Sequence, residues 1–221
     1  MLAVERKSGK LLWSQKANFG FGNRGFVATK DRAISIDLLQ TDAVEAFLDA
    51  GRKISKADPS VRAFDLRTGK EAWTMKADRL LKYLSYIPEE DILLVANRYG
   101  RHWSPEKGWF YPGLTAEQSK RKMDRPNGVF RGLRGSTGEK LWEISEQHYD
   151  GPFSVIGQLI LNRYGTAFEP TSGELAERTS PLTGEKESFG FKKSGCAVLG
   201  GCENLVGWRT AYHDMRNGTT V

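Results

Sequence analysis

The sequence predicts an all-β repeat protein whose repeats are four-stranded antiparallel blades of a β-propeller. Three observations predict it. A turn-and-tryptophan unit recurs three times without a gap. Strands that alternate apolar and polar residues lead into that unit, the period of a half-buried sheet. Composition agrees: 24 Gly against 8 Pro, and 11% aromatic residues with six Trp, suit many strands joined by glycine turns.

The repeat comes first, because missing it miscalls the whole fold. Ala3-Val4-Glu5-Arg6-Lys7-Ser8-Gly9-Lys10-Leu11-Leu12-Trp13 aligns with Ala63-Phe64-Asp65-Leu66-Arg67-Thr68-Gly69-Lys70-Glu71-Ala72-Trp73. The third copy is Gly132-Leu133-Arg134-Gly135-Ser136-Thr137-Gly138-Glu139-Lys140-Leu141-Trp142. A strand ends at a Ser/Thr-Gly turn, where the hydroxyl can bond local backbone and Gly accepts positive φ. The next strand then delivers a Trp four residues after the Gly. A lone hairpin is marginal in water, so that Trp is expected to pack on a neighbouring unit. Gly9, Trp13, Gly69, Trp73, Gly138 and Trp142 are therefore the candidate blade-docking residues.

Gly9 to Gly69 is 60 residues and Gly69 to Gly138 is 69, longer than the roughly 40–45 residues of one four-stranded blade. Two helical or loop insertions account for the excess, near 38–58 and 98–127. In the first, Asp42 with Glu45 makes a capping box, Val44, Phe47 and Leu48 share a helical face, and Gly51 stops the helix after Ala50. The second carries Trp103, Trp109, Phe110 and Tyr111, then a short helix opened by Thr115 and Gln118.

Between the insertions, strands are expected over Leu80–Ile87 and Ile92–Ala96, flanking a turn at Pro88-Glu89-Glu90-Asp91. Phe153–Ile156 and Leu159–Leu161 flank Gly157-Gln158 in the same way. Thr166–Glu169 meets a fourth turn at Ser172-Gly173-Glu174, whose Trp position holds Glu177. A fifth lies at Thr183-Gly184-Glu185, with Phe189 nearby. About four blades are expected in one domain covering 1–221.

The Ala-x-Asp-x-x-Thr-Gly-x-x-x-Trp pattern at 63–73 resembles the repeat of the PQQ-like (quinoprotein alcohol dehydrogenase-like) β-propellers. Copy one departs from it at Glu5, and copy three at Gly132 and Arg134. The stretch from Ser194-Gly195-Cys196 to Tyr212-His213-Asp214 resembles the closing region of large secreted bacterial members of unknown function. The resemblance implies that the Gly and Trp tie adjacent blades together. It also implies a propeller of seven or eight blades, of which this chain is a part, with the remaining blades of the parent as a partner. It places the protein in the periplasm, at the outer membrane or outside the cell.

Quinone chemistry is not expected. Family members that are enzymes use adjacent cysteines and a Ca²⁺ set, whereas Cys196 and Cys202 lie six residues apart and no acidic cluster has calcium-loop spacing. No cofactor is expected; PQQ and Ca²⁺ enter only if the chain is a non-catalytic portion of a PQQ-dependent quinoprotein dehydrogenase. Cys196 and Cys202 can close a local disulfide. Alternatively, as the resemblance suggests, Cys196 pairs beyond residue 221 and Cys202 is a small core residue.

Other motifs yield no chemistry. Gly20-Phe21-Gly22-Asn23-Arg24-Gly25 fits G-x-G-x-x-G, but strands follow it where a nucleotide site needs a helix, so a glycine-rich blade connection is expected. His102, His148 and His213 lie on separate elements without ligand spacing, and Tyr212-His213-Asp214 has no Ser or Cys nucleophile beside it. No catalytic constellation is present. The net charge of +6 is spread among acids, its densest run being Lys120-Arg121-Lys122 beside Asp124, so no nucleic-acid footprint is expected. No apolar run is long enough to span a bilayer. The expected function is a non-catalytic binding or scaffold module for a protein or polysaccharide. Trp103, Trp109, Phe110 and Tyr111, with Arg98, Arg101 and His102, form the candidate surface for stacking on sugars or gripping a peptide. The plainer alternative is that this loop folds back over the blade edge.

Overall fold

The computed structural model describes residues 1–39, 50–51, 53, 57–77, 81–97, 102–104, 108–110, 128–146, 153–156, 159–162, 166–180, 182–188, 200–202, 205–208 and 211–214. These residues form strands and turns, with no helix among them. The strands β1 (Leu2–Val4) and β2 (Leu11–Ser14) make a two-stranded ribbon. Next, β3 (Phe21–Ala28), β4 (Arg32–Asp37), β5 (Ser60–Asp65) and β6 (Glu71–Lys76) form a four-stranded antiparallel sheet in sequence order. A second such blade contains β7 (Leu81–Ile87), β8 (Ile92–Asn97), β11 (Gly128–Arg134) and β12 (Lys140–Glu146). Between β8 and β11 stands a separate hairpin of β9 (His102–Ser104) and β10 (Gly108–Phe110).

The third blade is thinner. It has β13 (Ser154–Ile156), β14 (Leu159–Leu161) and β15 (Ala167–Phe168), and a single bridge from Phe168 to Leu175 stands where a fourth strand would run. A hairpin of β16 (Glu177–Thr179) and β17 (Lys186–Ser188) follows, then a three-stranded sheet of β18 (Gly200–Cys202), β19 (Leu205–Trp208) and β20 (Ala211–Asp214). The fold is thus all-β, built from antiparallel blades.

Blades stack face to face because the middle sheet is apolar on both sides. All six residues of β8 are buried. Leu93 and Val95, with Leu81, Leu84 and Leu133, pack against Ile34, Ile36, Val61 and Ala63 of the preceding blade. Ile92, Leu94 and Ala96, with Phe130, pack against Phe153, Ile160 and Phe168 of the following one. The ring of Phe130 stacks on Phe153 at 4.2 Å and meets Trp142 edge-on at 4.9 Å. A two-residue period with both phases apolar reads as one continuous run, which is why β8 shows no alternation.

Connectivity sets two opposite ends of each blade. The 38–59 and 98–127 connections both join a second strand to a third, so both leave from the same end of their sheets. The glycine turns join third to fourth strands at the other end. The expected helix at 42–50 lies outside the described residues apart from Ala50, as does the Thr115 helix. The second insertion, expected as a loop, carries the β9–β10 hairpin instead. Its His-Trp-Ser and Gly-Trp-Phe segments pair antiparallel, short strands rich in aromatic residues. At the G-x-G-x-x-G run the chain is the strand β3, with a register irregularity between Phe21 and Phe26. A Cβ on Gly25 would stand 2.4 Å from the Ile36 side chain, so this glycine serves close packing and not a phosphate.

Candidate functional site

Five turns share one hydrogen-bond pattern. The amides of Gly9, Gly69, Gly138, Gly173 and Gly184 donate to the carbonyls of Glu5, Asp65, Arg134, Glu169 and Ser180, at 2.7–2.9 Å. All five glycines have φ between 69° and 77°, a region that β-carbons disfavour. The hydroxyls of Ser8, Thr68, Thr137, Ser172 and Thr183 each accept the amide two residues on, at 3.2–3.3 Å. The Ser/Thr-Gly pair is therefore a structural necessity of the turn.

On three of these turns lies an indole from the preceding unit. Trp13 Nε1 donates to Leu66 O at 2.8 Å, Trp73 Nε1 to Gly135 O at 3.1 Å, and Trp142 Nε1 to Pro170 O at 2.8 Å. In each case the acceptor is the second residue of the next turn. A Cβ on Gly69, Gly138 or Gly173 would fall 2.6–2.7 Å from the visiting ring. Each Trp also sits opposite a small residue in its own hairpin: Ala3 faces Trp13, Ala63 faces Trp73 and Gly132 faces Trp142, with a bulge immediately after each. Copy three needs Gly at 132 because a Cβ there would lie 2.3 Å from the Trp142 ring.

The turn carboxylate is kept even where its residue is lost. Asp65 Oδ1 accepts the amides of Arg67 and Thr68 and the Thr68 hydroxyl. The Thr68 hydroxyl bond, foremost, holds this carboxyl below its ordinary pKa. Glu5 accepts the Ser8 hydroxyl in the same manner. Copy three has Arg134 at this position, and Asp91 reaches across from the β7–β8 turn to take the Ser136 amide and hydroxyl, at 3.2 and 2.6 Å. Asp91 also accepts the Tyr86 hydroxyl at 3.0 Å. Burial, reinforced by that bond, pushes the Tyr86 phenol up to about 12. Sequence reading missed Asp91, because nothing in a linear pattern says that a distant turn fills the vacancy at 134.

At the opposite end, beside the first insertion, an open cleft of about 370 Å³ is lined by Asn18, Asp58, Ser60, Arg62, Glu71 and Lys76 among others. Its floor is a charge clamp. Fully buried Asp37 accepts the amides of Asn18, Phe19 and Gly20 at 2.8, 2.9 and 3.2 Å, and Arg62 Nη1 at 3.0 Å. Arg62 Nε donates to Glu71 at 2.7 Å, and its guanidinium lies 4.8 Å from the Phe64 ring centre. Burial alone would lower the Arg62 pKa, but the two carboxylates outweigh it and the value rises. Lys76 pairs with Asp58 at 3.0 Å across the rim. This clamp ties the β2–β3 connection to the blade below the insertion.

The remaining candidates are dispersed. Trp103 faces Trp109 and His102 faces Phe110 in the β9–β10 register; Tyr111, Arg98 and Arg101 lie outside the described residues. His213 is on β20 opposite Val206, and Cys202 on β18 opposite Leu205. His148 and Cys196 are outside the described residues, and with Cys196 goes either disulfide. Among the described residues, no three His, Cys, Asp or Glu side chains gather to hold a metal ion, and no helix is long and apolar enough to cross a membrane.

No protein-family model matches the chain, and no curated protein matches it either. Among solved structures it is similar to the computationally designed Ika4 protein, at 11% identity over 94% of this chain and 92% of that one, TM-score 0.47. It is similar to BamB from Moraxella catarrhalis at 13% identity, TM-score 0.49, covering all of this chain and 60% of that one. It is also similar to the quinohemoprotein alcohol dehydrogenase ADHIIG from Pseudomonas putida HK5, at 11% identity, TM-score 0.41, covering all of this chain and 34% of that one. The chain thus spans less than two thirds of the last two. Likenesses this distant leave the propeller assignment resting on the chain's own blades and turns.

Proposed function

We propose that the chain is a non-catalytic binding or scaffold module, acting outside the cytoplasm, that takes a protein or polysaccharide on the end from which its two insertions rise. One observation carries this reading: successive blades place their long connections at the same end, while the opposite end is closed by tight glycine turns. Long loops concentrated on one side of a rigid scaffold are the usual place for recognition. Trp103, Trp109 and Phe110 belong to the hairpin on that side.

The test replaces residues 99–126 by a short glycine-containing turn between β8 and β11. Whole and shortened chains are compared on a polysaccharide array, on peptidoglycan sacculi and by photo-crosslinking to extracts. The expected result is loss of binding with an unchanged unfolding midpoint. Binding that survives the deletion would overturn the reading. Pyrroloquinoline quinone with Ca²⁺ is expected to give no saturable change in absorbance; a saturable one would transfer the reading to a quinoprotein.

A further inference from the structure

The cleft beside the first insertion is walled by the β2–β3 connection, β5 and β6, and the guanidinium on its floor is only partly used. Arg62 Nε donates to Glu71 at 2.7 Å, and Nη1 to Asp37 at 3.0 Å and to the Lys16 carbonyl at 3.2 Å. These three bonds fix the group in place. Its Nη2 has no acceptor among the described residues and is not sealed from solvent, so two N–H donors stand ready in a set direction. Glu71 engages Arg62 through Oε2, which leaves Oε1 to accept from elsewhere. The side-chain amide of Asn18 and the hydroxyl of Ser60 also line the cleft, neither with a partner among the described residues. At about 370 Å³ the space lies at the small end of ligand sites, roughly 300–1,000 Å³.

The charges decide what can enter. Asp37, Glu71 and Asp58 stand against Arg62 and Lys76, three carboxylates to two cations. That excess disfavours a phosphate or a carboxylate. Each of the three carboxylates is already engaged by a cation, so no set of them is left for a metal ion. A peptide anchors by burying a large side chain, and the only apolar residues here to receive one are Ala57 and Pro59. What fits is a neutral ligand with donors and acceptors on adjacent atoms, and a hydroxyl is both at once. We propose that the cleft is a subsite for one neutral sugar unit of a glycan, whose adjacent hydroxyls accept from Arg62 Nη2 and donate to Glu71. The proposal rests on the reading that recognition lies at the insertion end, and it narrows the ligand there to an uncharged saccharide.

The experiment uses the full chain, ¹⁵N-labelled, titrated with cellotetraose, maltotetraose and mannotetraose. Inorganic phosphate, tetragalacturonate and tetraalanine are the contrasting probes. At least one neutral saccharide is expected to give saturable shifts at the Asn18 and Ser60 amides and at Arg62 Nε–H, and the contrasting probes none. Arg62→Lys, which loses the Nη2 donors, is expected to weaken binding at least about tenfold. Should that change disturb the clamp, Thr74→Trp serves in its place. It sets a ring at the mouth of the cleft from an exposed strand position, and the shifts are expected to vanish. No saturable shift with any neutral saccharide overturns the proposal. So does tighter binding of phosphate, tetragalacturonate or tetraalanine, or binding that Thr74→Trp leaves unchanged. One sugar unit held by hydrogen bonds in an open cleft binds on the order of 1 mM and is washed from an array. The array therefore reports the hairpin and these shifts report the cleft. The shifts are expected to persist in the chain shortened at 99–126, so either reading can fail without the other.

Discussion

Removing the indole of Trp73 tests the packing logic most directly. Three losses follow from the structure: the hydrogen bond to Gly135 O, the ring's contact with the Gly138 turn, and its packing against the cluster of Ile34, Val61, Leu93 and Leu133. The bond contributes on the order of 1 kcal/mol. A Trp→Ala change in a packed site costs about 3–5 kcal/mol, and the half-buried ring places Trp73→Ala towards the lower end of that range. Trp109→Ala, in the hairpin of the second insertion, is expected to cost under about 1 kcal/mol. Urea unfolding followed by fluorescence and circular dichroism measures both.

A second substitution sharpens the test. Gly138→Ala combines φ strain with a Cβ that would sit 2.7 Å from Trp73 Cδ2; the strain alone is about 1–2 kcal/mol, and the clash adds to it. In a Trp73→Ala background the clash vanishes and only strain remains, so the double mutant should be more stable than the summed single effects by about 1 kcal/mol or more. Additive effects, or equal costs for Trp73→Ala and Trp109→Ala, would refute the assignment of seat and loop.

The carboxylates and the phenol give further tests. Asp91→Ala leaves the Ser136 amide and hydroxyl and the Tyr86 hydroxyl without their acceptor and should cost about 2–3 kcal/mol, whereas placing Asp at 134 in that variant should restore part of it, read by thermal unfolding. Tyr86 has its folded pKa raised from 10.0 to about 12, so its contribution is complete below pH 10 and is lost as pH climbs towards 12; Tyr86→Phe should flatten the alkaline limb of a stability–pH curve. Asp65 has its folded pKa lowered from 3.8, so its contribution is present above that value and fades as pH falls below it; Asp65→Asn should remove that slope from the acid limb. Asp37→Ala takes the acceptor from the Asn18, Phe19 and Gly20 amides and leaves Arg62 with Glu71 alone of its two carboxylates; it is expected to cost about 2–3 kcal/mol, with hydrogen exchange rising first at Asn18, Phe19 and Gly20.

What could be read from sequence was whatever local chemistry enforces. The Ser/Thr-Gly turn was legible because positive φ and a hydroxyl acceptor are demands on single residues, met five times at fixed spacing. The strands around Pro88–Asp91 were legible because apolar runs broken by a four-residue turn leave few alternatives. The β9–β10 hairpin was not: its three-residue strands are too short to show a period, and the same aromatics suit an open loop equally well. Nor was the charge clamp legible. Asp37, Arg62 and Glu71 meet only because β4, β5 and β6 align, and each alone reads as an ordinary strand-end charge.

The departures of copy three show how far a repeat tolerates loss when its geometry is held elsewhere. Arg134 in place of Asp removes the carboxylate that organises the turn, yet the turn forms with the same glycine φ and the same carbonyl bond, because Asp91 supplies an acceptor from the neighbouring β7–β8 turn. Gly132 in place of Ala answers a different need, room for a ring that also packs on Phe130. The first change keeps the Gly138 turn and the Gly135 carbonyl on which Trp73 rests, and the second keeps Trp142 in place over the Gly173 turn, bonded to Pro170 O. What the chain conserves between its own copies is therefore the seat and not the residues that build it.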